Sequence, residues 1–192
     1  AVAITGMAGR FPGAADIDAF WQLLREGRDS LRRFSKEELI AKGVPAEVWS
    51  HADFVSAGYV CDDIDMFDAA FFGITPSEAS IMDPQHRVFM EVAWTAVENA
   101  GYAPRSGLMP DTGVFAACGI DGYLIHHLEG GALKTPLDPG SLFATEVGNE
   151  KDYIATRVAY AMNLTGPAMT INSACSSGLV AVAQASQSIL SG

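Results

Sequence analysis

The final part of the chain carries no charged side chain. No Asp, Glu, Lys, Arg or His occurs from Val158 to Gly192. An amphipathic surface layer needs charged residues on its outer face, so this segment is predicted to be buried. Asn, Thr, Gly, Pro, Ser and Gln interrupt it, which excludes a membrane-spanning helix. Its pattern predicts a helix over 152–163, a strand over 168–172 and a helix over 175–190.

Helix signals also occur earlier in the chain. Asp83 is placed to cap a helix that has Pro84 at its first position and ends at Gly101. Four residues repeat on one face of that helix: Phe89, Ala93, Ala96 and Ala100. A shorter helix is expected over 76–82, and another follows an N-cap at Asp16, with an apolar stripe of Ile17, Phe20, Trp21 and Leu24.

Strand signals alternate with these helices. The runs 2–5 and 112–118 are predicted strands, and the second is apolar enough to be buried. Residues 119–148 are rich in Gly, Pro and His and are expected to form a long loop. Alternating strands and helices predict an α/β fold with at least a partly parallel sheet.

The composition narrows the class of protein. A net charge of −11 argues against a dedicated nucleic-acid binder. With no membrane span and no signal-peptide pattern at the start, the expected location is cytoplasmic. Three widely separated cysteines do not form a disulfide framework, and no pair has zinc-ligand spacing, so no metal site is predicted.

Cys175 lies at the predicted boundary between a strand and a helix, in the sequence NSACSSGLVAV over 172–182. There, the N–H groups and the dipole of the helix favour a thiolate, and the same N–H groups can stabilise an oxyanion. The small neighbours allow a sharp turn and the approach of a substrate. The alternative is a small buried cysteine in a packed core, which is common for this residue type.

No catalytic partner for Cys175 is evident. Cys118 ends a strand and fits a core role, and Cys61 is assigned no function. His86 is expected to cap or pack on its helix. The pair His126 and His127 lies in the expected long loop, and nothing in the sequence directs it to Cys175.

Several long motifs in order resemble the β-ketoacyl synthase (ketosynthase) domain of modular type I polyketide synthases. They are AITGMAGRFPGA at 3–14, DIDAFWQLLREGRDS at 16–30, DDIDMFDAAFFGITPSEASIMDPQHR at 62–87, EVAWTAVENAGY at 91–102, GNEKDYIATRVAYAMNLTGPAMTI at 148–171 and ACSSGLVAV at 174–182.

The resemblance implies a thiolase-like fold, with a layered sheet between helices and the nucleophile on a buried helix. It implies that Cys175 accepts an acyl chain from the phosphopantetheine of an acyl carrier protein. Decarboxylative condensation with a malonyl-type extender follows, and the Cys175 N–H is part of the oxyanion hole. No directly bound cofactor is implied. The implied partners are acyl carrier protein domains, an acyltransferase domain and a second copy in a homodimer, with no nucleic acid or membrane.

The resemblance also implies two catalytic histidines in motifs downstream of this sequence. Residues 1–192 are therefore expected to form the N-terminal part of a ketosynthase domain, inactive in condensation alone. A non-elongating ketosynthase that only transfers or gates acyl chains is an alternative. A cysteine hydrolase or amidotransferase that uses His126 or His127 is a less favoured one.

Three positions depart from the family pattern, and a basic cluster has two possible roles. Ser173 stands where Thr is commoner and Gly178 where Ser is common, and both remain small. Asn172 is less usual, at a strand that the resemblance places at a homodimer axis. A basic cluster either is a solvated surface or docks acidic carrier proteins. The cluster comprises Arg25, Arg28, Arg32, Arg33 and Lys36.

Overall fold

The computed structural model of the protein describes residues 1–105, 107, 109, 111–132 and 139–192. These residues form two compact units. The smaller unit is Gly9–Asp63, and the larger unit combines Ala1–Ala8 with Ile64–Gly192.

The smaller unit consists of short helices and one two-stranded antiparallel sheet. Asp16 begins the first helix as predicted, because its side chain accepts a hydrogen bond from the Ala19 N–H at 2.7 Å. Of the predicted apolar stripe, Trp21 and Leu24 remain more than half exposed. The elements are α1 (Ile17–Arg25), β1 (Arg32–Arg33), α2 (Lys36–Ala41), α3 (Ala46–Trp49) and β2 (Ala57–Gly58), with β1 paired to β2.

The larger unit alternates helices with two parallel strands. Its elements are α4 (Pro76–Ile81), α5 (Pro84–Asn99), β3 (Val114–Ala116), a π-helix (Leu124–Ala132), α6 (Pro139–Asn149), a 3₁₀ turn (Lys151–Tyr153), α7 (Ile154–Met162), β4 (Ala168–Thr170), a second 3₁₀ turn (Ala174–Ser176) and α8 (Ser177–Ser191).

The helix α5 is built as its sequence predicts. Asp83 accepts a hydrogen bond from the Gln85 N–H at 2.7 Å, and Pro84 occupies the first turn. The helix ends just before Gly101, whose φ of +83° is a conformation that favours glycine.

A methionine-rich core joins α5 to α7. Met90 and Met162 are each 2% exposed, and each such buried side chain contributes roughly 1.5–3 kcal/mol of burial free energy. The buried members of this core are Phe72, Met82, Met90, Val158 and Met162. A second cluster, of Ala116, Ile154 and Ala155, packs α7 against the sheet.

The parallel sheet is confirmed, but its strands are shorter than predicted. Val114 pairs with Ala168 and Ala116 with Thr170, so the predicted 112–118 and 168–172 contract to three residues each. The run 2–5 is not a strand. A strand requires a ladder of hydrogen bonds to a neighbour, and no described strand supplies one to this run.

The expectation of a long loop over 119–148 was wrong. The π-helix and α6 occupy most of its described residues. Tertiary contacts outweigh the Gly and Pro content here. Asn149, 1% exposed, donates from Nδ2 to Ile81 O at 2.7 Å, and Leu128 is 5% exposed.

The burial predicted from Val158 onwards holds for one face of α7, but it is wrong for Tyr160, which is 91% exposed, and for much of α8. Val158 is 2% exposed, whereas Leu179 and Val182 are 80% and 63% exposed. A lack of charged residues does not by itself mean that every face of a helix is buried. Ser and Gln on α8 are polar side chains that tolerate contact with water.

Candidate active site

The parallel sheet fixes the point at which the chain turns toward Cys175. The parallel pairing continues one residue past β4, where the Ile171 N–H donates to Ala116 O at 2.8 Å. The chain then leaves the sheet and enters the 3₁₀ turn Ala174–Ser176, which leads directly into α8. Cys175 is therefore the middle residue of the turn between a strand and a helix, not the first residue of the helix.

The turn bends sharply at Ala174. Its φ of +53° lies in the left-handed region, which costs a residue with a Cβ atom roughly 1–2 kcal/mol. Such a conformation persists only where the surroundings hold it, and it is enriched at functional sites. The bend resembles a nucleophile elbow in geometry, as the small neighbours of Cys175 suggested.

Three serines hold the bend. Ser177 Oγ accepts a hydrogen bond from the Ser173 N–H at 2.9 Å and donates one to Ala174 O at 2.7 Å. Ser176 Oγ donates to Ser173 O at 2.8 Å. Ser177 is buried, so its two bonds are partly shielded from water, whereas Ser176 is exposed.

The bend leaves Cys175 accessible. Its side chain is exposed, which contradicts the buried-core interpretation. Among the described residues, no hydrogen bond from the Cys175 N–H is present. The first turn of α8 has no side-chain cap either. The exposed thiol can attack a carbonyl carbon, and the unpaired Cys175 N–H beside it can stabilise the resulting oxyanion.

The other cysteines have different surroundings. Cys118 is half-buried against the cluster of Ala116, Ile154 and Ala155, in keeping with its predicted core role. Burial, with Asp121 and Asp83 nearby, raises the pKa of its thiol to about 11. Cys118 is therefore a thiol rather than a thiolate at neutral pH. Cys61 is half-buried, in the smaller unit.

The structure brings none of the described histidines into hydrogen bonding with Cys175. His86 is 1% exposed on α5, and neither of its ring nitrogens has a partner among the described residues. Burial, assisted by the positive charge of Arg157, lowers its pKa to about 4. His127 stacks on Tyr123, with ring centroids 5.3 Å apart, and His126 is exposed.

Gln85 has a role that the sequence pattern did not predict. Its Oε1 accepts a hydrogen bond from the Gly119 N–H at 2.7 Å, and its Nε2 donates to Ile120 O at 3.2 Å. The side chain thereby fixes the segment that leaves β3. Parallel strands end at the same edge of a sheet, so this segment begins at the edge where β4 leads to Cys175. The sequence feature that could have indicated this role is the position of Gln85 in DPQHR, directly after Pro84 at the start of α5.

Neither a metal cluster nor a membrane span occurs in the part of the chain that the structure describes. No group of three or more His, Cys, Asp or Glu side chains there could hold a metal ion. None of the described helices is both long and apolar enough to cross a bilayer.

Fold and site together define an α/β protein that presents an exposed cysteine on a strained turn between a parallel strand and a helix. The whole chain, residues 1–192, matches the family model of the β-ketoacyl synthase N-terminal domain. The chain belongs to this family, and its fold is thiolase-like.

Curated relatives agree with that assignment. The chain is 41% identical over 201 residues to a phenolphthiocerol/phthiocerol polyketide synthase of Mycobacterium tuberculosis, across 100% of the chain and 13% of that protein. It is 37% identical over 193 residues to polyketide synthase PksN of Bacillus subtilis, across 100% of the chain and 3% of that protein. The chain therefore spans a small part of these relatives.

Solved structures show the same fold. Ketosynthase twelve of the bacillaene polyketide synthase from Bacillus amyloliquefaciens superposes with a TM-score of 0.80 at 34% identity, over 97% of this chain and 32% of that one. The ketosynthase from module 6 of the bacillaene synthase of Bacillus subtilis gives a TM-score of 0.74 at 33% identity, over 98% of this chain and 28% of that one.

Proposed function

We propose that this chain supplies the nucleophile of a polyketide β-ketoacyl synthase and that Cys175 is the residue that is acylated. The observation that carries the proposal is the exposed Cys175 thiol on a strained turn, beside its own unpaired N–H. Family membership supplies the reaction class, an acyl transfer followed by carbon–carbon bond formation.

In the first half-reaction, the Cys175 thiolate attacks the acyl carbon of a thioester carried on phosphopantetheine. The carbonyl electrons move onto oxygen, where the Cys175 N–H donates a hydrogen bond. The tetrahedral intermediate then collapses, the bond to the carrier sulfur breaks, and the carrier thiolate takes up a proton. The product is an acyl chain on Cys175 and a free carrier thiol.

In the second half-reaction, a malonyl-type thioester on a carrier protein loses CO2. The electron pair of the broken carbon–carbon bond forms an enolate, which attacks the acyl carbon on Cys175. The bond to Cys175 breaks and the cysteine leaves as a thiolate, which regenerates the nucleophile. The product is a β-ketoacyl thioester on the carrier.

A transfer-only ketosynthase remains the second candidate. No hydrogen bond joins a histidine to Cys175 in the described residues, so these residues do not identify the groups that assist decarboxylation. The hydrolase alternative requires His126 or His127 to act on Cys175. His127 instead packs on Tyr123, and the family assignment does not favour that alternative.

The smaller unit offers a docking surface for an acidic carrier protein. Within the basic cluster, Arg28 pairs with Glu26 and Arg32 with Glu38, each at 2.6 Å. Lys36 lies over the Trp49 ring. Arg25 and Arg33 are exposed, and the described residues include no acidic partner for either. These two side chains are therefore the ones available to a partner's carboxylates and phosphate.

Two further partners form part of the proposal. A homodimer would use the edge of β4, where Met169 is 50% exposed and Asn172 is also exposed. An acyltransferase domain would load the extender onto the carrier protein. A cytoplasmic location fits such an assembly.

The proposal is tested by a condensation assay with the full-length protein. An acyl thioester and a malonyl carrier protein are supplied, and CO2 and the β-ketoacyl product are measured. A condensing enzyme should form product in the wild-type protein and none in Cys175→Ala. Acylation of Cys175 without product would favour the transfer-only ketosynthase, and product formation by Cys175→Ala would refute both.

A further inference from the structure

The peptide bond that joins Ala174 to Cys175 is held from one side by a single side chain. Ala174 O accepts a hydrogen bond from Ser177 Oγ at 2.7 Å and another from the Ser177 N–H. The same hydroxyl oxygen accepts from the Ser173 N–H at 2.9 Å. Ser177 is 8% exposed, the most buried residue of the turn and its flanks.

This anchoring fixes the direction of the Cys175 N–H. The peptide is planar and trans, so its C=O and N–H point in opposite directions. When Ala174 O is held toward Ser177, the Cys175 N–H must point away from Ser177. Hydrogen bonding at the carbonyl also polarises the peptide and strengthens its N–H as a donor.

We propose that Ser177 is a positioning residue that orients the Cys175 N–H as an oxyanion donor. The inference rests on the proposed acylation of Cys175. Ser177 does not touch the substrate. It stabilises the one orientation of the Ala174–Cys175 peptide in which the N–H points away from Ser177 and stays unpaired.

A hydroxyl is suited to this position because it donates and accepts at once. Alanine at 177 would leave the Ser173 N–H without its acceptor and Ala174 O with one donor instead of two. The strained φ of Ala174 would then favour rotation of the peptide toward relaxed conformations. The thiol itself would stay on the same turn.

The test compares two reactions of the same thiol in the full-length protein. Acylation by an acyl thioester develops an oxyanion and needs the donor. Alkylation by iodoacetamide displaces iodide from carbon and develops no oxyanion. Loss of one oxyanion donor costs about 100- to 1000-fold in rate. In Ser177→Ala the donor is misplaced and not removed, so we expect the acylation rate to fall by about 100-fold or somewhat less, with alkylation within about twofold of wild type.

Ser176→Ala is the matched control. Its hydroxyl belongs to the same turn but bonds Ser173 O, which is part of a different peptide. The ratio of acylation to alkylation should stay at the wild-type value in this variant. Ser177→Thr retains the hydroxyl and should recover most of the acylation rate lost in Ser177→Ala.

The possible outcomes separate the inference from the function on which it rests. A wild-type protein that does not acylate overturns the proposed function and the inference with it. If the wild-type protein acylates and the ratio of acylation to alkylation is unchanged in Ser177→Ala, only the inference is overturned. Equal losses of acylation and alkylation, or no recovery in Ser177→Thr, assign Ser177 a structural role and also overturn it.

Discussion

The Ile171 N–H donates to Ala116 O at 2.8 Å, and this hydrogen bond is the last one between the two parallel strands before the chain turns toward Cys175. The bond sets where β4 stops following β3. Four residues later the chain presents the thiol. The position of the proposed nucleophile therefore depends on the sheet as well as on its own turn.

Gly166 is needed for the close approach of the two strands. A Cβ atom there would lie 2.5 Å from Thr112 C and 2.6 Å from Gly113 N, both backbone atoms. Gly166→Ala should therefore destabilise the domain by about 1–3 kcal/mol and lower its melting temperature. Gly178→Ala is the control, because a Cβ atom at 178 meets nothing within 4 Å. It should leave the melting temperature unchanged or raise it, and equal losses in both variants would contradict the packing argument.

Gln85→Ala should loosen the segment after β3. The variant removes the hydrogen bonds to Gly119 N and Ile120 O, which together contribute about 1–3 kcal/mol. Hydrogen–deuterium exchange should accelerate at Gly119 and its neighbours, while α7, which has no bond to Gln85, keeps its protection. Unchanged exchange at Gly119 would show that the bonds do not stabilise this segment.

His86 makes stability depend on pH in a defined direction. Its pKa falls from 6.5 to about 4 on folding because the ring is buried, with a smaller effect of Arg157. Between these values the unfolded chain binds more protons than the folded one, so stability falls on acidification by up to about 1.4 kcal/mol per pH unit. Above pH 6.5 this loss is absent.

His86→Gln tests that direction, because glutamine does not titrate. Melting temperatures of wild type and variant are compared from pH 7.5 to pH 4.5. The wild-type value should fall more steeply below pH 6.5 than that of the variant. Parallel curves would contradict a buried neutral His86.

Arg25 and Arg33 should contribute to binding of the carrier protein through charge. Arg25→Glu with Arg33→Glu should weaken carrier binding several-fold at low ionic strength, and the difference should shrink as salt screens the charges. Surface plasmon resonance with the carrier protein measures both effects. Arg32→Glu is a poor substitute, because Arg32 already pairs with Glu38. Equal affinity of the double variant and wild type in low salt would exclude this docking surface.

Local signals predicted α5 and the parallel strand pair of the larger unit. Asp83 with Pro84 specified the start of α5, and Gly101 specified its end, because caps depend only on neighbouring residues. The apolar runs before and after Gly166 specified two strands and a parallel pairing. The predicted strand–helix boundary singled out Cys175, and the alternation of elements predicted the α/β class. The resemblance implied the thiolase-like fold and the acyl-accepting role of Cys175.

The remaining differences arise where tertiary contacts decide. The helices within 119–148 depend on partners distant in sequence, such as Ile81 for Asn149. The exposure of Leu179 on α8 depends on what lies against that face. Likewise, the role of Ser177 follows from hydrogen-bond directions at a left-handed Ala174, and no residue pattern specifies those directions.

Intact-protein mass after incubation with an acyl thioester tests the central claim most directly. Wild type and Cys118→Ala should each gain the mass of one acyl group, which hydroxylamine releases, and Cys175→Ala should gain none. Cys118 is a suitable control because burial keeps it as a thiol, with a pKa of about 11. Acylation of Cys175→Ala at the wild-type rate would contradict the account.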